Sequence, residues 1–495
     1  MTVAQPTYVN EKANRDLSMI PGSNGLPFIG QTFDFIDDNL GMTLANYKKY
    51  GPVFRMSLVF QNIVNTVGPE FLRQVSLDQD KVFSSQAGWE GMVGEFFQGS
   101  LIVQDFENHR MQRRLMQTAF KAESLHGYIH SINNIVQASL KQWPKQEPML
   151  FYPAVKRLLL DIAAKVFLGA QLEEQNERIN GAFVDFANGA TSIVKKNWPG
   201  FAYHKGLKGR QVLDNFIRQR IDEKRQGDGT DMFSHFCREK SDTGDYYSHQ
   251  EITDHVLFLL FAAHDTTTSA LTMAMQLLAA HQDWQTELRD TIGRIETDIP
   301  TFDQLGRNIP LLDYTFKEVL RLYPPVPGLI RRTIKPCEIG GYEVPAHTMM
   351  ATSISANHHL PEYWHDPFKF DPMPFSESRA EHKQHKFCGR RSVPAVINAL
   401  ACILPICYSS VCCLIYSRHI ASNLQTQSKR PGKSCTYRLH GLRTIPRWFS
   451  SRNVKHHADL RLLSAVRRYP AGDRRCHRSG RDPDHSGASE ATRAT

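Results

Sequence analysis

Cysteine is scarce where a disulfide framework would need it. Only Cys237 and Cys337 precede residue 388, and the other seven of nine lie from Cys388 onward. Two cysteines so far apart exclude a disulfide-stapled fold for the body and set a reducing cytoplasm as the expected compartment. The opening stretch MTVAQPTYVNEKANRDLSMI lacks an apolar run flanked by positive charge, which predicts neither a signal peptide nor an N-terminal anchor. No repeat of fixed period occurs. Acids are rare in the last part of the chain: residues 388–495 carry 16 Arg and 3 Lys against 5 acids. That excess is larger than the net +9 of the whole chain, so the body before it is mildly acidic. Such asymmetry marks a nucleic-acid or membrane tail, or a segment never selected as protein. The tail has no aromatic interleaving and no nucleic-acid motif, so no nucleic-acid partner is expected.

What is present is a chain of 495 residues, 41% of them apolar. That is enough for a sizeable core in one large domain or two to three average ones. Pro21 to Phe35 is punctuated by Pro and Gly and reads as extended. Gly51 to Gly68 holds two β-rich runs around a polar break, a hairpin. Cys337 to Thr348 reads as a second hairpin turning at Gly340–Gly341. From Pro69 to Asp290 helical patterns dominate, with polar loops near Gln226–Asp231 and Ser241–Ser248. The expected class is mainly α with small sheets.

Glu251 to Asp283, EITDHVLFLLFAAHDTTTSALTMAMQLLAAHQD, reads as a helix apolar nearly all round, which is buried in a large core or a membrane. His264 and Asp265 at its middle argue against a membrane and for a central core helix. Thr266 to Thr268 are poor helix formers whose hydroxyls bond back to carbonyls one turn earlier. Asp265 with Thr266 is either a satisfied core pair or a proton-handling carboxylate and alcohol. In DYTFKEVLRLYPPVPGLIRRT, Asp313 to Thr333, Glu318 and Arg321 share a helix face; their apolar neighbours argue against full exposure. In ENHRMQRRLMQTAF, Glu107 to Phe120, four basic residues crowd one and a half turns. That is either a solvated face or a clamp for an anionic ligand.

These segments, in this order, resemble the cytochrome P-450 family of haem-thiolate monooxygenases. AAHDTT is similar to the family's oxygen-activating motif, with Ala263 in place of the usual Gly. EVLR matches its Glu-x-x-Arg pair, and HRMQR its propionate-binding motif. FDPMPF, Phe370 to Phe375, resembles the element ahead of the haem loop, with Pro374 where an Arg is usual. The resemblance covers roughly residues 20–387. It implies a cytochrome P-450 fold, haem, an apolar small-molecule substrate and a redox partner such as a ferredoxin or flavin reductase. Within it, Asp265 and Thr266 relay protons, and His109, Arg113 and Arg331 bind haem propionates. Glu318 and Arg321 lock the helix beneath the haem. The "HDTT" and "EHKQHKF" segments look closest to the branch acting on sterols, retinoids and related lipids.

The family takes its iron ligand from a loop Phe-x-x-Gly-x-x-x-Cys-x-Gly, and no such string occurs in this sequence. No metal ligand is therefore assigned. Cys388 directly follows Phe387 and lacks the preceding glycines; it is the one cysteine placed to rescue ligation. A reading-frame shift accounts for the absence. Codons for Ser392 to Ala401 can be chosen so that a one-base shift spells F-G-A-G-G-H-K-C-I-G, the haem loop with its cysteine. The expected organisation is thus an incomplete P-450-like domain at 1–387 and an out-of-frame, irregular tail at 388–495. The chain is then a monooxygenase by descent, impaired as translated, with haem binding in doubt. The alternative takes Val393 to Tyr416 at face value. These 24 residues carry no charge, long enough to span a bilayer, and would make a tail-anchored, non-catalytic binding protein.

Overall fold

The computed structural model describes residues 8, 11–13, 16–59, 61–118, 122–144, 149–169, 175–192, 194–241, 244–292, 294 and 309–388. The tail expectations, including the Val393–Tyr416 span, lie outside these residues. In chain order the described helices are α1 (Thr32–Tyr50), α2 (Pro69–Leu77), α3 (Ser85–Phe97), α4 (Phe106–Thr118), α5 (Ala122–Gln142), α6 (Phe151–Leu168) and α7 (Gln175–Ala190). They continue as α8 (Ala202–Arg218), α9 (Ile221–Gln226), α10 (Met232–Arg238), α11 (His249–Ala280), α12 (Gln282–Ile292), α13 (Pro310–Leu322) and α14 (Ile354–Asn357). The expected class, mainly helical with small sheets, is the observed one.

Strands β1 (Gly22–Ser23), β2 (Val53–Leu58), β3 (Gln61–Thr66), β4 (Phe83–Ser84), β5 (Gly328–Thr333) and β8 (Met349–Ser353) form one sheet in the order β1-β2-β3-β8-β5-β4. Both expected hairpins are present. β2 and β3 pair antiparallel from Val53–Thr66 to Leu58–Gln61. β6 (Cys337–Ile339) and β7 (Tyr342–Val344) pair around Gly340 and Gly341, at φ +57° and +83°, the left-handed backbone such a turn requires. The stretch read as extended is cut short: α1 already begins at Thr32.

The central helix is α11, 32 residues long. Its start is fixed by a capping box: the Ser248 hydroxyl accepts from the Glu251 N–H, and the Glu251 carboxylate accepts from the Ser248 N–H, satisfying two otherwise orphaned donors. Among the described helices it alone is long and apolar enough to cross a membrane, yet 78% of its most apolar window is buried within the protein. The main core gathers α11 side chains such as Phe258 and Leu271 with Val155 and Ile162 of α6, Phe186 of α7 and Val319 of α13. Hydrophobic periodicity without a polar face is thereby explained by packing on every side.

Candidate active site

Midway along α11, Thr266 donates its hydroxyl to the Ala262 carbonyl at 2.6 Å, and Thr268 does the same to His264 at 2.8 Å. The helix runs on unbroken through the three threonines. Asp265 turns toward α6, where Lys156 Nζ lies 3.3 Å from its Oδ1, both side chains largely buried. Neither Asp265 oxygen accepts an aligned hydrogen bond among the described residues. The Lys156 ammonium thus offsets the charge of the carboxylate. Lys156 went unnoticed in the sequence because nothing local links it to Asp265.

On α13 the Glu318–Arg321 pair is buried, at 0% and 3% side-chain exposure. The guanidinium is bidentate, Nε to Oε2 and Nη2 to Oε1, both at 2.7 Å. Its Nη1 also donates to the carbonyls of His358 and Pro367, at 2.8 and 2.7 Å, and its plane lies 5.0 Å from the Trp364 ring. Glu318 further accepts the Asp371 backbone N–H at 3.1 Å. Pro374, buried in a 3₁₀ turn, contributes no side-chain donor. Arg379 was not singled out from the sequence. It bonds the Asp371 and Glu381 carboxylates, both at 2.5 Å, and Glu381 accepts the His365 N–H at 2.9 Å. The 365–381 segment is thus tied to α13 through Asp371.

The basic run on α4 divides by face. Arg110 and Arg114 point outward, while His109 and Arg113 are half-buried. Burial and the charges of Arg113 and Arg331 hold His109 down at about 4, so these three groups converge. Arg331 comes from β5, which packs so closely on α3 that a Cβ at Gly88 would sit 3.0 Å from the Arg331 Cα. Among the described residues Arg113 has no ion pair, and Arg331 hydrogen-bonds only the Ile330 carbonyl, at 2.8 Å. Burial pulls both guanidinium pKa values down. The nearby Asp105 is occupied with the Ser84 hydroxyl and the Ser85 and Gln86 N–H groups. The charges of Asp105 and Asp78 offset this cluster in part, and half-buried guanidinium groups without a salt bridge among the described residues form a site that a further anionic group would stabilise. Among the described residues no hydrogen bond or ion pair links this cluster directly to Asp265 or Thr266; α4 meets α11 nearer its start, where Gln112 donates to Glu251 at 3.1 Å and faces His255.

Cys388 is fully buried among Trp364, Phe375, Tyr314 and Tyr363. Burial, reinforced by the charge of Glu70, pushes its thiol up to about 12. It is a neutral core thiol, the opposite of an activated one.

The family model for cytochrome P-450 matches residues 20–389. The chain belongs to the cytochrome P-450 family. It is 34% identical over 380 residues to a Mycobacterium tuberculosis protein named as cytochrome P-450 136, covering 75% of this chain and 76% of that one. It is 29% identical over 378 residues to cytochrome P-450 120 of Synechocystis, with 76% and 83% covered. A solved structure of cyanobacterial CYP120A1 with retinoic acid bound superposes with a TM-score of 0.70 at 27% identity, over 80% of this chain and 91% of that one. P-450 proteins are haem monooxygenases that take electrons from redox partners and act on lipophilic substrates. The described residues meet the needs of such a haem in part: a P-450 expects basic groups for the two propionates, and His109, Arg113 and Arg331 converge with no salt bridge among the described residues. They do not meet the need for a thiolate. Cys237 and Cys337 sit on α10 and β6, with thiols raised to about 12 and about 11 by burial, and Cys388 is protonated in an aromatic cluster.

Proposed function

We propose that this chain descends from a haem-thiolate monooxygenase of the cytoplasm. The parental reaction inserts one oxygen atom from O₂ into an apolar, lipid-like substrate, with electrons from a ferredoxin or flavin reductase. We propose equally that the protein as translated is impaired at the iron site, because a one-base frameshift after Phe387 has removed the ligand loop. In this reading Asp265 and Thr266 are the proton-handling carboxylate and alcohol. His109, Arg113 and Arg331 hold the haem carboxylates, and Glu318 with Arg321 positions the helix beneath. The Asp265–Lys156 ion pair, with no aligned hydrogen bond to the carboxylate, and the convergence of His109, Arg113 and Arg331 support these roles. The retinoic acid in the cyanobacterial relative supports a lipid-like substrate.

The observation that carries the impairment is Cys388: the cysteine that follows the 365–381 segment is a buried, protonated thiol with no flanking glycine loop before it. Among the described residues every cysteine thiol is held in its neutral form by burial, and none is poised as a thiolate. The test is a carbon monoxide difference spectrum of the reduced, haem-supplemented full-length protein. The expected result is no red-shifted Soret band of the thiolate type. Its appearance overturns the impairment, and its loss in Cys388→Ser would then name Cys388 as ligand. Reading the gene across codons 387–401 tests the frameshift itself. The tail-anchored reading rests on Val393 to Tyr416, which lie outside the described residues.

A further inference from the structure

We infer that the interface between α6 and α11 holds one structural water molecule, bridging the His264 imidazole and the Thr267 hydroxyl. The starting point is a contrast within α11. Thr266, Thr268 and Thr272 all donate to the carbonyl four residues back, at 2.6, 2.8 and 2.7 Å, the usual fate of a threonine hydroxyl inside a helix. Thr267 does not. Its hydroxyl is buried and has no partner among the described residues. The neighbouring His264 has a side chain with 0% exposure, and neither ring nitrogen has a hydrogen-bond partner there. Its Nε2 is 4.0 Å from Asp265 Oδ1, beyond hydrogen-bond reach, and its ring meets the Phe183 ring edge-on at 5.2 Å.

Both residues line one small cavity, whose other walls are Leu159, Ile162, Ala163 and Phe167 of α6 and Ala263. The space open to the centre of a water-sized sphere is about 10 Å³, the room a single water takes. The lining chemistry selects the occupant. Wholly apolar cavities stay dry, whereas a water needs two or more polar partners. Two buried groups without partners each cost free energy if left dry. Burial lowers His264 to about 4, so at neutral pH its ring carries one donor and one acceptor nitrogen. A water can then donate to one group and accept from the other. No carboxylate lines the cavity to hold a cation and no guanidinium or ammonium to hold an anion, and the volume admits nothing larger than water. The inference is independent of whether the chain binds haem.

The test is a double-substitution cycle on the full-length chain, read by thermal melting. Thr267→Val keeps shape and removes the hydroxyl, and His264→Phe removes the imidazole and fills space. A bridging water predicts that Thr267→Val lowers the melting temperature by about 2 °C, because the water loses a partner and strands the imidazole. Thr267→Ser, which keeps the hydroxyl, should lower it less. The double variant should recover most of the loss, since it removes both polar groups and the need for water together. If Thr267→Val is neutral or raises the melting temperature, the cavity is dry and the inference fails. It fails equally if the double variant shows the summed losses of the singles, because hydroxyl and imidazole then act separately.

Discussion

Replacing Glu318 with Ala should be among the most damaging single changes in the described fold. Glu318 accepts three hydrogen bonds, two from Arg321 at 2.7 Å and one from the Asp371 N–H at 3.1 Å. Its loss leaves the Arg321 guanidinium, 3% exposed, facing only the carbonyls of His358, Pro367 and Lys369 and the Trp364 face. Those dipoles do not neutralise a full charge. Breaking a buried pair by removing one partner costs about 3–5 kcal/mol, a large share of the roughly 5–15 kcal/mol that holds a typical protein folded. Removing both charges is a different perturbation. Glu318→Met with Arg321→Met leaves no stranded cation, so the double variant should be markedly more stable than Glu318→Ala. Urea unfolding of the full-length chain, followed by tryptophan fluorescence, reads both, with Trp364 stacked on the pair as a local reporter. The expected midpoint shift for Glu318→Ala is about 1 M or more to lower urea. A shift under about 0.3 M, or a double variant as unstable as the single, would refute the reasoning.

Two further outcomes follow from buried titratable groups. Burial depresses His255 and His264 to about 4 and His358 to about 3 from the ordinary 6.5. Each is neutral in the folded chain and takes up its proton more readily when unfolded, so its contribution is complete above pH 6.5 and is lost as pH falls toward 4. At pH 5.5 the three cost about 4 kcal/mol together; Asp254, raised to about 6 by burial, has the opposite sign and returns roughly 1 kcal/mol. Urea midpoints should fall steadily between pH 7 and 5.5, and a flat profile contradicts the burial of these histidines as neutral groups. The second outcome concerns Cys388, whose thiol stands at about 12. At pH 8 it should be alkylated about a thousand-fold more slowly than an exposed cysteine, as peptide mass spectrometry would read; fast labelling of the folded chain overturns its placement in the Trp364–Phe375 cluster.

The fold was legible where a single local pattern decided it. The Gly51–Gly68 run and the Gly340–Gly341 turn named their hairpins, and α11 announced its burial by having no polar face. Helix spacing put Glu318 and Arg321 on one face but could not tell a buried bidentate pair from a solvated one. Their burial depends on His358, Pro367 and Lys369, whose carbonyls arrive from a distant loop. The same limit hid Lys156 from Asp265. It also hid Arg379, which reads as one charge among many in ESRAEH and yet clamps Asp371 and Glu381. On α4 the crowding of His109, Arg110, Arg113 and Arg114 was visible, but which two turn inward was settled only by the fold, which brings His109 near Arg331 of β5. His264 counted in the sequence only as an argument against a membrane span; its orphaned nitrogens need coordinates to be seen.

The tail poses a question that composition alone leaves open, and the position of the family match sharpens it. A membrane anchor acquired by a working P-450 would be appended after the complete domain, leaving the glycine-flanked cysteine loop in place ahead of it. Here the match ends at 389, beside the residue where cysteine and arginine usage changes, and the loop string is missing from the whole sequence. An appended anchor accounts for a charge-free run of 24 residues but not for the missing loop. The frameshift we propose after Phe387 would account for both, along with the Arg excess, and codons for Ser392 to Ala401 can be chosen that spell the loop one base out of phase. It also accounts for the state of Cys388. A thiol selected as an iron ligand would sit among donors or charges that favour its anion; this one lies against Trp364 and Phe375, where only its neutral form is stable.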